Sequence, residues 1–189
     1  MNIPVLNIIH LPERIDRREL LDRELITQSI TNFKIWNGIR NQQAVFAGIS
    51  AAHKQIVRYA KTVRDKKVMI AEDDIRFTCH GAFQYFLDNE PEDYDLYLAS
   101  IYMGTLKEDN TVHDFSGLTL YMVHERFYDT FLGINPMNHL DRALAGKGLF
   151  CVCNPFAAVQ WTTASDCKGG DIIDHTVWLR GRKLFNNGK

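Results

Sequence analysis

Residues 67–74 read KVMIAEDD, an apolar run that stops abruptly at three adjacent acids. No other segment constrains the fold as strongly. A strand apolar on both faces belongs inside a sheet that helices cover on both sides. In open α/β sheets ligands bind at the carboxyl ends of the strands, which is where Glu72, Asp73 and Asp74 fall.

The rest of the chain alternates strand and helix around this run. Val5 to Ile9 reads as a first strand, broken by Pro12. Leu21, Leu25 and Ile26 recur at helical spacing within 15–30, and Phe33 to Trp36 is a short second strand. Ile49, Ala52, Ile56, Tyr59, Ala60 and Val63 fall at steps of three or four and make one apolar helical stripe. After Lys67–Ala71, the residues Phe83, Phe86 and Leu87 mark a helix, and Asp95 to Ser100 a strand. In the second half, a strand over 118–123 runs into a helix over 124–132. A short helix over 138–145, strands over 149–153 and 157–161, and a last short helix after Asp171 follow. This order predicts an α/β sandwich around a mixed, mostly parallel sheet, and 189 residues suit one domain.

Composition narrows the function. Lys and Arg number 22 against 23 Asp and Glu, a net charge of -1, so a general nucleic-acid binder is disfavoured. No stretch approaches the roughly 20 apolar residues of a membrane span. The basic residues near the N-terminus follow the apolar run, the reverse of a secretory signal. Cys79, Cys151, Cys153 and Cys167 contain no C-x-x-C pair, and Cys151 and Cys153 suit one face of a buried strand. All four are expected to be reduced thiols of a cytoplasmic protein.

Two segments and three single residues could carry chemistry. If the chain stays extended through the acids, Glu72 and Asp74 share one side and Asp73 takes the other. Two carboxylates on one side repel unless a cation or a proton lies between them, and hard oxygens suit Mg²⁺ or Mn²⁺ beside a substrate phosphate. A solvated strand end neutralised by Arg76 is the plainer alternative. In HLPERIDRR, residues 10–18, Arg14, Arg17 and Arg18 crowd a helix start, where cations oppose the helix dipole unless an anion is bound. A diphosphate would supply that anion, and pairing with Glu13, Asp16 and Glu19 would serve as well. His53 on its apolar stripe fits a hydrogen-bonded core residue, Asp141 a general base or a helix-start residue, and His175 a late metal ligand or an exposed tail histidine.

Taken in order, these pieces resemble glycosyltransferase family 25, the lipopolysaccharide-biosynthesis type of galactosyltransferase. Its opening Ile-Asn-Leu with a following Arg and Asp-Arg pair is matched by Ile9-His10-Leu11, Arg14 and Asp16-Arg17-Arg18. Its Gly and Ser-His helix start is matched by Gly48-Ile49-Ser50-Ala51-Ala52-His53, and its acidic motif by Glu72-Asp73-Asp74. Asp95 to Leu98, Gly117 to Val123, Asp141, Pro155, Gln160, Ser165 and Asp166 complete the pattern over nearly the whole chain. His10 stands where the family has Asn, and Ala52 where it has Ser.

The resemblance implies a GT-A fold over 1–189, with a nucleotide-sugar half at 1–104 and an acceptor half at 105–189. It implies transfer of a sugar, galactose first among them, from a UDP-sugar to a hydroxyl of a glycan or lipid-linked glycan, with inversion and with Mn²⁺ or Mg²⁺. His10, Leu11, Arg14, Arg17, His53, Glu72 and Asp73 would then contact the donor, and Asp74, Glu72 and His175 the metal. Asp141 or Asp166 would be the base. A basic, aromatic tail with Arg180, Arg182, Lys183 and Lys189 offers contact with an anionic membrane surface at its inner face, or is simply solvated. Two other readings remain: a nucleotide-sugar or glycan binder without turnover, and a Mg²⁺-dependent phospho-receiver domain, whose acids end the first strand rather than a later one.

Overall fold

A computed structural model describes residues 4–165 and 170–188, so Asp166, Cys167 and Lys189 lie outside the described residues. The elements are β1 (Leu6–His10), α1 (Ile15–Thr27), β2 (Phe33–Asn37), α2 (Val45–Val63), β3 (Lys67–Glu72), β4 (Ile75–Phe77) and α3 (Ala82–Asp88). They continue with β5 (Leu96–Leu98), β6 (Thr111–Val112), β7 (Leu120–His124), α4 (Tyr128–Gly133), α5 (Leu140–Leu144), β8 (Phe150–Val152) and β9 (Ala158–Gln160). A 3-10 turn spans Glu125–Phe127 and another His175–Leu179.

Seven strands form one sheet in the order β2-β1-β3-β7-β5-β8-β6, and β4 pairs with β9 in a separate ribbon. β2, β1 and β3 are mutually parallel, β7 runs against both β3 and β5, β8 follows β5, and β6 opposes β8. Five strands therefore point one way, and the two reversed ones both come from the second half of the chain. This is the mixed, mostly parallel sheet of an α/β sandwich that the sequence implies. β7 lies between β3 and β5, so the two halves of the chain interleave in one sheet.

The pleat divides the core in two. Val68 and Ile70 of β3 face Ile56, Val57 and Ala60 of α2, with Phe127 and Phe131 in the same cluster. Met69 and Ala71, on the alternate face, join Leu21 and Leu25 of α1 and Phe83 and Phe86 of α3. Each such side chain contributes roughly 1.5–3 kcal/mol on full burial. Cys151 and Cys153 share this second face, as a two-residue spacing in a strand requires. They and Cys79 are free thiols.

Several boundaries differ from the sequence reading for local reasons. α1 ends at Thr27 rather than near Ile30, because Ser29 turns left-handed (φ 55) and the Ile30 N–H closes on the Leu25 carbonyl at 2.8 Å. α2 starts one turn earlier than its stripe. Within it Gly48 is obligatory, since a Cβ there would lie 2.3 Å from the Ile39 carbonyl oxygen. The expected 124–132 helix begins as the 3-10 turn and becomes α-helical at Tyr128. No helix among the described residues is long and apolar enough to cross a membrane.

Candidate active site

The chain leaves β3 at Glu72, turns at Asp73 and Asp74, and returns as β4 antiparallel to β9. The triplet is thus a turn rather than an extended run. Two backbone bonds hold it: Glu72 N–H donates to the Thr119 carbonyl (2.9 Å), and Trp161 N–H to the Asp74 carbonyl (2.7 Å). Register places Gln160 of β9 opposite Ile75, which brings its amide to the acids. Gln160 Nε2 donates to Glu72 Oε2 at 2.7 Å and to Asp74 Oδ1 at 3.3 Å. Glu72 and Asp74 therefore do share one side.

Asp73 faces β1 and α1. His10 Nδ1 lies 2.8 Å from Asp73 Oδ2, and Arg17 Nη1 donates to Asp73 Oδ1 at 2.9 Å. The same Nη1 is 3.1 Å from Asp74 Oδ2, while Nη2 donates to the Ala164 carbonyl at 3.0 Å. Arg17 is therefore the cation that joins the two aspartates. A carboxylate only accepts, so His53 turns its Nε2–H to Glu72 Oε1 (3.3 Å) and its Nδ1 lone pair to the Tyr121 hydroxyl (2.8 Å).

One guanidinium does not offset three acids. Burial pushes the Asp74 carboxyl up to about 7; Arg17 pulls against this, and the charges of Glu72 and Asp73 add to it. The triplet opens on a cavity of about 460 Å³ whose walls include Leu11, Arg17, His53, Glu72, Asp73, Asp74, Asp141 and His175. Burial lowers the His175 imidazole, with Glu72 opposing. Its ring packs 5.0 Å from Tyr102 and 5.5 Å from Trp178.

Most of the candidates from sequence converge here. His10 stands behind the wall, buried on Asp73. Arg14 is not on the wall; its guanidinium grips Asp16 at 2.9 and 2.7 Å, and that hydrogen bond holds the Asp16 carboxyl down at about 2. Asp141 is on the wall, but both its oxygens are engaged: Oδ2 accepts from Gly117 N–H (2.9 Å), and Oδ1 from Arg142 N–H (2.7 Å) and His139 Nδ1 (3.1 Å). The candidate base Asp166 falls outside the described residues.

The sequence reading places none of Gln160, Tyr102, His139 or Trp178 in the site: Gln160 figures only in the family pattern, Tyr102 as core and Trp178 in the tail, and the fold adds all four to the same cavity. Tyr102 accepts the Gln160 backbone N–H on its hydroxyl at 2.6 Å. Arg17 Nε and Thr163 Oγ1, on wall residues, are buried without a hydrogen-bond partner among the described residues. The tail folds back onto the body. Phe185 stacks on Tyr85 at 3.9 Å, Arg182 donates to the Gly104 carbonyl, and backbone bonds join Phe156 to Lys183 and Phe185.

The acids present hard oxygens to the cavity, although among the described residues no three His, Cys, Asp or Glu side chains converge in a metal-binding group. Mg²⁺-type sites commonly use one or two carboxylates and complete the shell with water and substrate phosphate. Glu72 and Asp74, two carboxylates on one side of the turn, fit that donor set.

No protein-family model matches the chain, and no curated protein does. Among solved structures it is similar to A197 from STIV, with 13% identity, 92% of this chain and 87% of that one covered, and a TM-score of 0.54. It is also similar to HddC from Yersinia pseudotuberculosis complexed with GMP-PN (12% identity, 84% and 93% covered, TM-score 0.48). A further match is the Drosophila β-1,4-galactosyltransferase 7 complex with manganese, UDP-Gal and xylobiose (9% identity, 97% and 82% covered, TM-score 0.49). At such identities the likeness is one of fold.

Proposed function

We propose that this chain is a GT-A-type glycosyltransferase, similar to family 25, that moves a sugar from a UDP-sugar to a glycan hydroxyl. The observation that carries the reading is the Glu72-Asp73-Asp74 turn, opening from the carboxyl end of a central strand onto the cavity with Arg17 at its side. Three adjacent carboxylates, two of them joined by one arginine, make a place for a cation and its phosphate partner. Glu72 and Asp74 would hold Mn²⁺ or Mg²⁺, which when bound neutralises the leaving diphosphate. Arg17 orients the turn by joining Asp73 to Asp74. Leu11, Ile9 and Ile39 give the apolar wall on which a nucleoside rests. Galactose is the sugar that the sequence resemblance favours, and the acceptor is a glycan or lipid-linked glycan.

The test is calorimetry of UDP with and without Mn²⁺ on the wild type and on Asp74→Asn. The wild type should bind UDP more tightly with Mn²⁺, and the variant should lose that enhancement. Equal Mn²⁺ enhancement in both would refute the assignment.

A further inference from the structure

Glu72 and Asp74 have four carboxylate oxygens between them, and the fold gives each a partner. Glu72 Oε1 faces His53 Nε2 at 3.3 Å, and Asp74 Oδ2 faces Arg17 Nη1 at 3.1 Å. The other two, Glu72 Oε2 and Asp74 Oδ1, meet one donor, the side-chain amide of Gln160, at 2.7 and 3.3 Å. Carboxylate oxygens accept, so the amide turns its NH₂ to both acids and gives one hydrogen to each. These two oxygens are also the pair that a cation shared by Glu72 and Asp74 would use. The amide therefore holds the oxygens that the cation needs.

The backbone of Gln160 is fixed and its side chain has room to leave. Its N–H donates to the Tyr102 hydroxyl at 2.6 Å, and the N–H of Trp161 beside it donates to the Asp74 carbonyl at 2.7 Å. Pairing of β9 with β4 keeps it opposite Ile75. The residue is half-buried on the wall of the 460 Å³ cavity, so rotation about its side-chain torsions carries the amide into open space and breaks no backbone bond. An amide NH₂ satisfies two oxygens as a hydrogen-bond donor but brings no net charge, whereas a divalent ion would both ligate and neutralise them.

We propose that Gln160 is the placeholder of the cation site: its amide bridges Glu72 and Asp74 in the metal-free protein and must leave them when a divalent cation binds. The proposal rests on the cation assignment of the reading above. Its consequence is a linked equilibrium. The amide bonds exist only in the metal-free form, so they stabilise that form and weaken metal affinity by the same factor.

The experiment titrates Mn²⁺ alone, without UDP, into the wild type, Gln160→Met and Gln160→Ala at pH 8, reading free Mn²⁺ by electron paramagnetic resonance. Methionine keeps the length of the side chain and cannot donate. Both variants should bind Mn²⁺ roughly 10–100-fold more tightly, the factor that follows from no longer displacing a charge-assisted hydrogen bond. Urea unfolding closes the cycle. In EDTA both variants should unfold at lower urea than the wild type, and at saturating Mn²⁺ the three midpoints should coincide. Mn²⁺ affinity that is unchanged in the variants would make Gln160 a structural residue only, and weaker affinity would make its amide oxygen a ligand; either result overturns the placeholder. Variants less stable than the wild type at saturating Mn²⁺ as well as in EDTA overturn it too. If none of the three proteins binds Mn²⁺, the cation assignment fails and the placeholder falls with it. Tighter Mn²⁺ binding by the variants of a protein that binds no UDP would uphold the placeholder and refute the glycosyl-transfer reading alone.

Discussion

The Asp74 carboxyl makes a measurable demand on the stability of the metal-free protein. Its value is about 7 in the folded state, raised first by burial, against 3.8 when exposed. The folded protein thus binds this proton more tightly than the unfolded chain. The associated stability is complete below pH 4 and is lost as pH rises through about 7. Moving a carboxyl from 3.8 to about 7 corresponds to about 4 kcal/mol at most. The side chain is only 8% exposed, so solvent screens little of this. Asp74→Asn removes the titration and keeps the shape. Urea unfolding in EDTA, at intervals from pH 4 to pH 8, gives the stability of each protein. The variant should gain on the wild type by a few kcal/mol across that range, with most of the change between pH 5 and 7. Taking the difference cancels the other carboxylates, which titrate in both proteins. A difference constant within about 1 kcal/mol would show that Asp74 is solvated or already neutralised in the fold, and the case for a cation beside it would go.

Other substitutions test the rest of the site. Arg17→Ala should cost roughly 3–5 kcal/mol in urea unfolding at pH 8, since it leaves Asp73 and Asp74 buried without their cation; a loss below 1 kcal/mol would mean His10 and Gln160 suffice. Arg14→Ala should leave UDP-sugar affinity within about twofold by calorimetry, because this guanidinium is committed to Asp16 and stands off the cavity wall; a tenfold loss would return it to the donor site. Gly48→Ala should destabilise by roughly 1–3 kcal/mol despite the better helix propensity of alanine, because the new Cβ meets the Ile39 carbonyl; a stabilised variant, read from its thermal midpoint, would contradict that contact.

The elements legible in the sequence are those whose partners are implied by period. α2 shows its stripe because one face packs on the sheet, and β3 shows as an unbroken apolar run because both faces are covered. β4 was not legible. Three residues, IRF, carry no period, and their pairing to Ala158–Gln160 depends on a strand formed more than eighty residues later. For the same reason the acids read as a continuing strand, although Glu72 and Asp74 do end on one side, at Gln160. The roles within HLPERIDRR were equally hidden. Helical spacing puts Arg14 and Arg17 close together, but only the packed fold shows that Arg14 is spent on Asp16 while Arg17 reaches the aspartates. Nothing in NHLDRAL announces that the Gly117 amide occupies Asp141, a contact that exists only once β7 is in place.

The folded-back tail has a consequence for how the protein is made. Ile173, His175 and Trp178 wall the cavity, and their segment is held by bonds between Phe156 and residues 183 and 185. Synthesis runs from the N-terminus, so β1, α2 and β3 emerge early with the acid turn already attached. The wall cannot close until Phe185 has left the ribosome. During that interval the nascent chain exposes a cluster of carboxylates beside an unfinished apolar pocket. A pause in translation after the acid turn has emerged and before Phe185 would prolong that exposure.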